Sequence, residues 1–253
     1  MTELPVQCWT ASDDVQLAFR ETGEGRPVVL LHGLFSDAQM NWINFGNAER
    51  IAAAGFRVIM PDLRAHGLSR KPHEPERYPN GILARDLREL IGHLALSDFD
   101  LGGFSLGART VVQAIGEGLK PRKTVLGGMG LQGLLHWDRR QRFFIEAIER
   151  FDQARRGDPH WLAIQFMRTM RVDREAAVLV LKSFGDAGPE WLAAFTMPTL
   201  VVIGSEDEDN GSARELADAI PDATYAEVPG THMSSVTRPE LGEAIARFLT
   251  ADS

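Results

Sequence analysis

The chain has 253 residues, 44% of them hydrophobic, with 27 basic against 35 acidic side chains and a net charge of −8. That suffices for one sizeable core, or one core with an inserted subdomain, and the acidic balance disfavours nucleic acid and anionic membrane as partners. The one cysteine, Cys8, excludes an intrachain disulfide and fits a reducing compartment; it reads as a structural or surface thiol.

The stretch Met1–Val6 has no basic n-region and no apolar h-region, so no signal peptide is expected. No window approaches the ~18 apolar residues of a membrane span, and a soluble, cytoplasmic protein is the expectation. Residues 6–10 and 15–21 alternate apolar and polar around Ser12-Asp13-Asp14, which predicts an antiparallel hairpin. Pro27–Leu31 is a continuous apolar run suited to a strand buried on both faces, and it ends in His32-Gly33-Leu34-Phe35. A helix is expected over about 47–54, stopped by Gly55. Phe56–Met60 reads as the next buried strand, running into Pro61-Asp62-Leu63-Arg64-Ala65-His66-Gly67-Leu68-Ser69.

The polar, Pro-rich segment 71–80 reads as a loop. Leu83, Leu87, Leu90, Ile91 and Leu94 fall at helical spacing over 82–96. A strand over Phe99–Gly102 leads to Gly103-Phe104-Ser105-Leu106-Gly107, and Ala108, Val111, Val112 and Ile115 mark the buried face of the helix that follows. Thr124–Leu126 is a short strand. Residues 132–195 then lack strand signals and read as several amphipathic helices, an insertion that would cap the sheet edge. After Pro198 the alternation returns, with strands at Thr199–Ile203 and Ala223–Val228 and helices at Ser212–Ile220 and around Leu241–Leu249. Strands alternating with helices imply a mostly parallel α/β sheet with helices on both faces. Ligands of such sheets bind beyond the carboxyl ends of the strands, where all of these motifs lie. The expected organisation is a core of residues 1–131 and 196–253 and a helical cap of 132–195.

The G-x-S-x-G stretch carries the chemistry. A serine on a sharp strand-to-helix turn is presented above the sheet, and the crowded positions two residues either side must be small; both are glycine. A serine hydroxyl needs a base to take its proton, and the base needs a group that holds its tautomer. Of seven histidines, His232 follows the last strand in a small polar loop. The strand at 199–203 ends in Glu206-Asp207-Glu208-Asp209, from which Asp207, three residues past Gly204, is the leading acid, with Glu206 and Asp209 as alternatives. The acidic run lacks the glycine and distal glutamate spacing of a calcium loop. Asn210-Gly211-Ser212 reads as a turn leading to a helix N-cap.

These motifs, in this order, resemble the α/β-hydrolase superfamily, in its capped serine-hydrolase branch: His32-Gly33, Asp62-x-Arg64-x-His66-Gly67-x-Ser69, the Gly103–Gly107 elbow, Gly204-x-x-Asp207 and Gly230-x-His232. The resemblance implies a mostly parallel eight-stranded sheet flanked by helices, with an inserted helical cap. It implies Ser105 as nucleophile, His232 as base and then acid, Asp207 as orienting carboxylate, and an oxyanion hole from the backbone N–H groups of Leu34 and Leu106. It calls for neither cofactor nor metal. The His32-Gly33 turn would shape the hole, while Asp62, Arg64 and His66 would brace a loop. Four positions depart from the pattern: Phe104 where many relatives carry histidine, Ala65 in place of the usual glycine, Ala108 where a second glycine is frequent, and no proline after Asp207.

The expected reaction is hydrolysis of a small, hydrophobic carboxylic ester through an acyl-serine. The rivals are a carbon–carbon bond hydrolase, lactonase, amidase or perhydrolase using the same triad, and ligand binding on a hydrolase scaffold. A serine at the elbow argues against the dehalogenase and epoxide hydrolase types, which the resemblance expects to carry aspartate there. The expected partner is a small-molecule substrate.

Overall fold

The structure, a computed structural model, describes residues 4–251. Residues 1–3, half of the stretch expected to lack a signal peptide, lie outside the described residues.

The opening hairpin is β1 (Gln7–Thr10) paired antiparallel with β2 (Gln16–Thr22). The Pro-Val-Val-Leu-Leu run forms β3 (Arg26–Leu31). It is followed by helix α1 (Asn47–Ala53) and strand β4 (Phe56–Pro61). Helix α2 (Ile82–His93) precedes β5 (Asp100–Phe104), and α3 (Leu106–Gly116) leaves the elbow toward β6 (Thr124–Gly127). Helices α4 (Leu131–Leu135), α5 (Trp137–Glu149), α6 (Trp161–Thr169), α7 (Arg174–Lys182) and α8 (Pro189–Ala193) follow without an intervening strand. The sheet resumes with β7 (Thr199–Gly204), α9 (Ala213–Asp218), β8 (Ala223–Val228), α10 (His232–Ser235) and α11 (Pro239–Thr250).

The eight strands form one sheet in the order β1-β2-β4-β3-β5-β6-β7-β8. From β4 to β8 every pairing is parallel, so these strands deliver their carboxyl ends to one edge. Val28, Val29, Leu30 and Leu31 are all buried, because helices cover both faces. One apolar layer holds Ile51 of α1 with Leu241 and Ile245 of α11; the other holds Leu83 and Leu87 of α2, Val111 of α3 and the apolar faces of α5 to α7. Each such side chain contributes about 1.5–3 kcal/mol by leaving water.

Elements differ from the sequence expectation mostly at their ends. The strand before the elbow runs to Phe104, because pairing with Gly127 continues the ladder past Gly102. The loop at 71–80 holds one 3-10 turn, Pro75–Arg77, and Tyr78 is buried with its hydroxyl donating to Pro72 O at 2.7 Å. His232 stands on the first residue of α10, not in a loop. Thr231 and Ser234 cap each other reciprocally and start that helix. Ser212 is the N-cap of α9, its side chain accepting from Glu215 N. Cys8 is exposed. No helix among the described residues is long and apolar enough to cross a membrane.

Candidate active site

The elbow is a tight joint between β5 and α3. Ser105 has φ 53° and ψ −111°, a backbone conformation that costs a non-glycine residue about 1–3 kcal/mol. Its N–H donates to Gly127 O at 2.8 Å and its carbonyl accepts from Arg109 N at 3.0 Å, so ladder and helix hold the strain from both sides. A Cβ on Gly103 would lie 2.2 Å from the Gly107 carbonyl carbon, and one on Gly107 would lie 2.4 Å from Leu31 O. Both positions demand glycine for space alone.

His232 reaches across from the end of β8. Its Nε2 lies 3.1 Å from Ser105 Oγ and its Nδ1 2.8 Å from Asp207 Oδ2. Since Asp207 accepts, Nδ1 carries the proton and Nε2 is free to accept from the serine hydroxyl. The Asp207 side chain is fully shielded from water, and that of His232 is 12% exposed. Of the three acids considered from sequence, Asp207 makes the imidazole hydrogen bond. Glu206 N instead donates to Gly230 O at 2.9 Å, fastening the acid loop to the histidine loop, and Asp209 N donates to the second Asp207 oxygen at 3.1 Å. Asn210, where the resemblance expects a proline nearby, is buried and donates from Nδ2 to Gly128 O at 2.8 Å, tying the acid loop to β6.

Phe104, the departure beside the serine, packs its ring 5.1 Å from that of His232 and occupies the space above Gly128. It gives the imidazole an apolar floor. Ligand-capable atoms of Asp207, Asp209 and His232 lie within 4.8 Å of one another, and two of these groups, Asp207 and His232, are joined by their own hydrogen bond.

The β3 loop flanks the elbow from the other side. The Cβ position of Gly33 lies 3.5 Å from Ser105 Cβ. Gly33 N donates to the buried Asn41 Oδ1 at 3.1 Å, a contact that the sequence did not signal because Asn41 sits in an irregular π-helical turn, Gln39–Ile43. Leu34 follows, half-buried, and Phe35 takes φ 60°. Leu106 is the first residue of α3, next to Ser105.

His32 is locked beneath this loop. Leu63 N donates to its Nε2 at 2.9 Å, so its Nδ1–H donates to Gly33 O at 2.8 Å. Burial lowers its pKa to about 4. His66 stands edge-on to it at 5.1 Å and donates from Nδ1 to Arg64 O; burial, then the neighbouring His32, lowers its pKa to about 3. Neither touches Ser105. Asp62 accepts from Ala38 N and Leu68 N, and the buried Arg64 is paired with both Asp13 and Asp86. These groups brace the loop after β4.

Sequence spacing did not reveal Arg109, one turn past Ser105. It is 1% exposed, and its guanidinium donates to Gly133 O, Leu134 O and Gly185 O while lying 4.7 Å over the Trp137 ring. Burial brings its pKa down to about 10 and Asp186 opposes that shift, so it stays charged at neutral pH. One side chain from α3 thus fastens the two ends of the helical segment between β6 and β7. A cavity of about 370 Å3 opens on the outer side of the acid loop, lined by Ile203, Arg214 and Tyr225 among others; neither Ser105 nor His232 reaches it.

A serine turn at the end of β5, a carboxylate after β7 and a histidine after β8 thus meet at one edge of this sheet. The family model described as the alpha/beta hydrolase fold matches residues 26–146. The eight-stranded, mostly parallel sheet is that of the α/β-hydrolase fold, and the matched stretch is the part of the chain that carries the Ser105 turn. The chain is 27% identical to a non-heme chloroperoxidase of Kitasatospora aureofaciens, covering 85% of this chain and 87% of that protein. It is 25% identical to the 2-hydroxy-6-oxo-6-(2'-aminophenyl)hexa-2,4-dienoic acid hydrolase of Metapseudomonas resinovorans, covering 97% and 91%. Among solved structures, an esterase from Exiguobacterium antarcticum superposes with a TM-score of 0.79 at 19% identity, covering 97% of this chain and 99% of that one, a likeness of fold.

Proposed function

We propose that the protein is a serine hydrolase that cleaves a small carboxylic ester through an acyl-Ser105 intermediate. The observation that carries this reading is the unbroken chain Ser105 Oγ, His232 Nε2, His232 Nδ1, Asp207 Oδ2, at 3.1 and 2.8 Å. His232 takes the serine proton as Oγ bonds to the ester carbonyl carbon. It returns that proton to the departing alkoxide, then activates water to release the acid. Asp207 holds the tautomer and stabilises the imidazolium. The N–H groups of Leu34 and Leu106 receive the oxyanion, each worth about 3–4 kcal/mol in the transition state, and the N-terminus of α3 adds its dipole.

Helices α4 to α8 act as a cap over this edge, and their aromatic content favours a hydrophobic substrate of modest size. The serine nucleophile argues against alkyl-enzyme chemistry of the epoxide hydrolase kind. Mixing enzyme with a p-nitrophenyl ester is expected to give a burst of product that Ser105→Ala loses, and a fluorophosphonate is expected to label Ser105. If wild type and Ser105→Ala are equally inert and neither takes the probe, the reading fails.

A second reading keeps the triad and changes the bond. The alignment over 97% of the chain with a relative named as a hydrolase of a hexadienoic acid supports carbon–carbon cleavage of a vinylogous diketone. A side-by-side panel of esters and such diketones separates the two.

A further inference from the structure

Helix α5 opens Trp137-Asp138-Arg139-Arg140-Gln141-Arg142, three arginines in one short run of a chain whose net charge is −8. Arg139 and Arg142 are exposed, whereas Arg140 is half-buried. Its guanidinium lies 5.0 Å from the ring centroid of Phe144, one turn further along α5. Phe144 in turn stands edge-on to Phe35, 5.4 Å away, on the loop that carries Leu34 past the elbow. Burial lowers the pKa of Arg140, and the charges of Asp209 and then Asp207 oppose that shift. Through Phe144 and Phe35 Arg140 is linked to the loop that follows β3, next to Ser105.

Two fully buried arginines are satisfied. Arg64 has two carboxylates and Arg109 three carbonyls. Arg140 makes no hydrogen bond and no ion pair within 4.0 Å with any described residue. Stacking on one aromatic face contributes about 0.5–1 kcal/mol and leaves all five N–H donors without a protein acceptor. A planar fork of donors held on a ring that packs against the loop after β3 matches a carboxylate, which can accept two parallel N–H bonds.

We propose that Arg140 receives a carboxylate carried by the substrate, so that the preferred substrates are esters bearing a free carboxylate; this rests on the serine-hydrolase reading above. Phe144 and Phe35 hold the guanidinium plane, and Arg140 acts as a specificity-determining residue.

The test compares two matched pairs: p-nitrophenyl hemiglutarate with p-nitrophenyl valerate for a carboxylate on the acyl side, and 4-carboxyphenyl butanoate with phenyl butanoate for the alcohol side. In wild type at least one carboxylate ester is expected to have the lower KM of its pair. Arg140→Met is expected to lower the kcat/KM ratio of carboxylate to neutral ester by about 10- to 100-fold in that pair, chiefly through KM. Arg140→Lys is expected to recover part of that ratio. A ratio that Arg140→Met leaves unchanged in both pairs overturns the proposal, whether both rates fall together or neither falls. Fluorophosphonate labelling of Ser105 is run on the same preparations. Labelled enzyme without carboxylate discrimination sinks only the role of Arg140, whereas unlabelled wild type sinks the triad reading beneath it.

Discussion

The strand edge that carries Ser105, Asp207 and His232 and the helices between β6 and β7 are built on different physics. At the strand edge the backbone itself is the fixture. Gly103 and Gly107 touch across the joint, Ser105 sits at positive φ, and ladder bonds from Gly127 and Gly230 fix the loops. The helices between β6 and β7 are held by side chains. Arg109 grips three carbonyls, Asp186 accepts from Trp137 N at 2.6 Å, and aromatic rings fill the rest. Backbone contacts admit almost no variation, while side-chain contacts can be exchanged. On the proposed reading, chemistry therefore belongs to the first region and selectivity to the second.

The largest expected effect breaks the first region. Gly107→Ala puts a methyl group 2.4 Å from Leu31 O, and should destabilise the protein by about 3 kcal/mol or more as β5 and α3 are forced apart. Urea unfolding measures this, and a loss under about 1 kcal/mol would mean that the joint is softer than its contacts imply.

Arg109→Met attacks the second region. It keeps the apolar stem but leaves three carbonyls without their donor, and should cost about 2–3 kcal/mol. Limited proteolysis should then cut first within 131–195, while Ser105 still accepts a fluorophosphonate. Simultaneous cutting throughout the chain would show that the two regions unfold as one unit.

Acid tests the bracing beneath the strand edge that carries Ser105. In the unfolded chain His32 and His66 take up protons below about pH 6.5, but in the folded protein only near pH 4 and pH 3. Their contribution is full above pH 6.5 and is lost as pH falls through that window. Asp86, raised to about 6 by burial against the pull of Arg64, works in the opposite sense and offsets part of the loss. The net expectation is about 2–3 kcal/mol lost between pH 7 and pH 5. Urea midpoints across that range check it, and NMR should show both imidazoles still neutral at pH 5.

The smallest effect concerns a departure from the family pattern. Ala65 adopts φ 68°, where an L side chain is strained. Ala65→Gly removes that strain but frees the unfolded chain, so a gain under ~1 kcal/mol is expected, a rise in Tm of about 1–3 °C. A fall in Tm would show that the Ala65 methyl, buried in the loop after β4, contributes more by packing than its backbone costs.

Much of the sheet was legible because its strands are contiguous apolar runs punctuated by glycine and proline. Ser105 and His232 were legible because each sits at a strand end in a fixed order. Among Glu206, Asp207 and Asp209 the sequence offered three carboxylates within one turn. Local pattern could not choose, since the choice depends on how the loops after β7 and β8 are tied together. The helical start at His232 was missed, although Thr231 and Ser234 carry a capping signal three residues apart. Arg109 and Arg140 read as ordinary helical arginines, because spacing along a helix does not say what a neighbouring segment places opposite.

By itself the sequence determined the parallel sheet, the elbow and the order of acid and histidine, since these follow from local backbone requirements: small residues at a crowded turn, apolar runs between helices, polar groups at strand ends. Only the tertiary structure decided which acid faces the imidazole, that one buried arginine on α3 fastens both ends of the helical segment between β6 and β7, and that another on α5 lies over Phe144 without a hydrogen-bond partner. Those are contacts between segments as far as 76 residues apart, and a contact at such range is fixed by packing, not by any pattern along the chain.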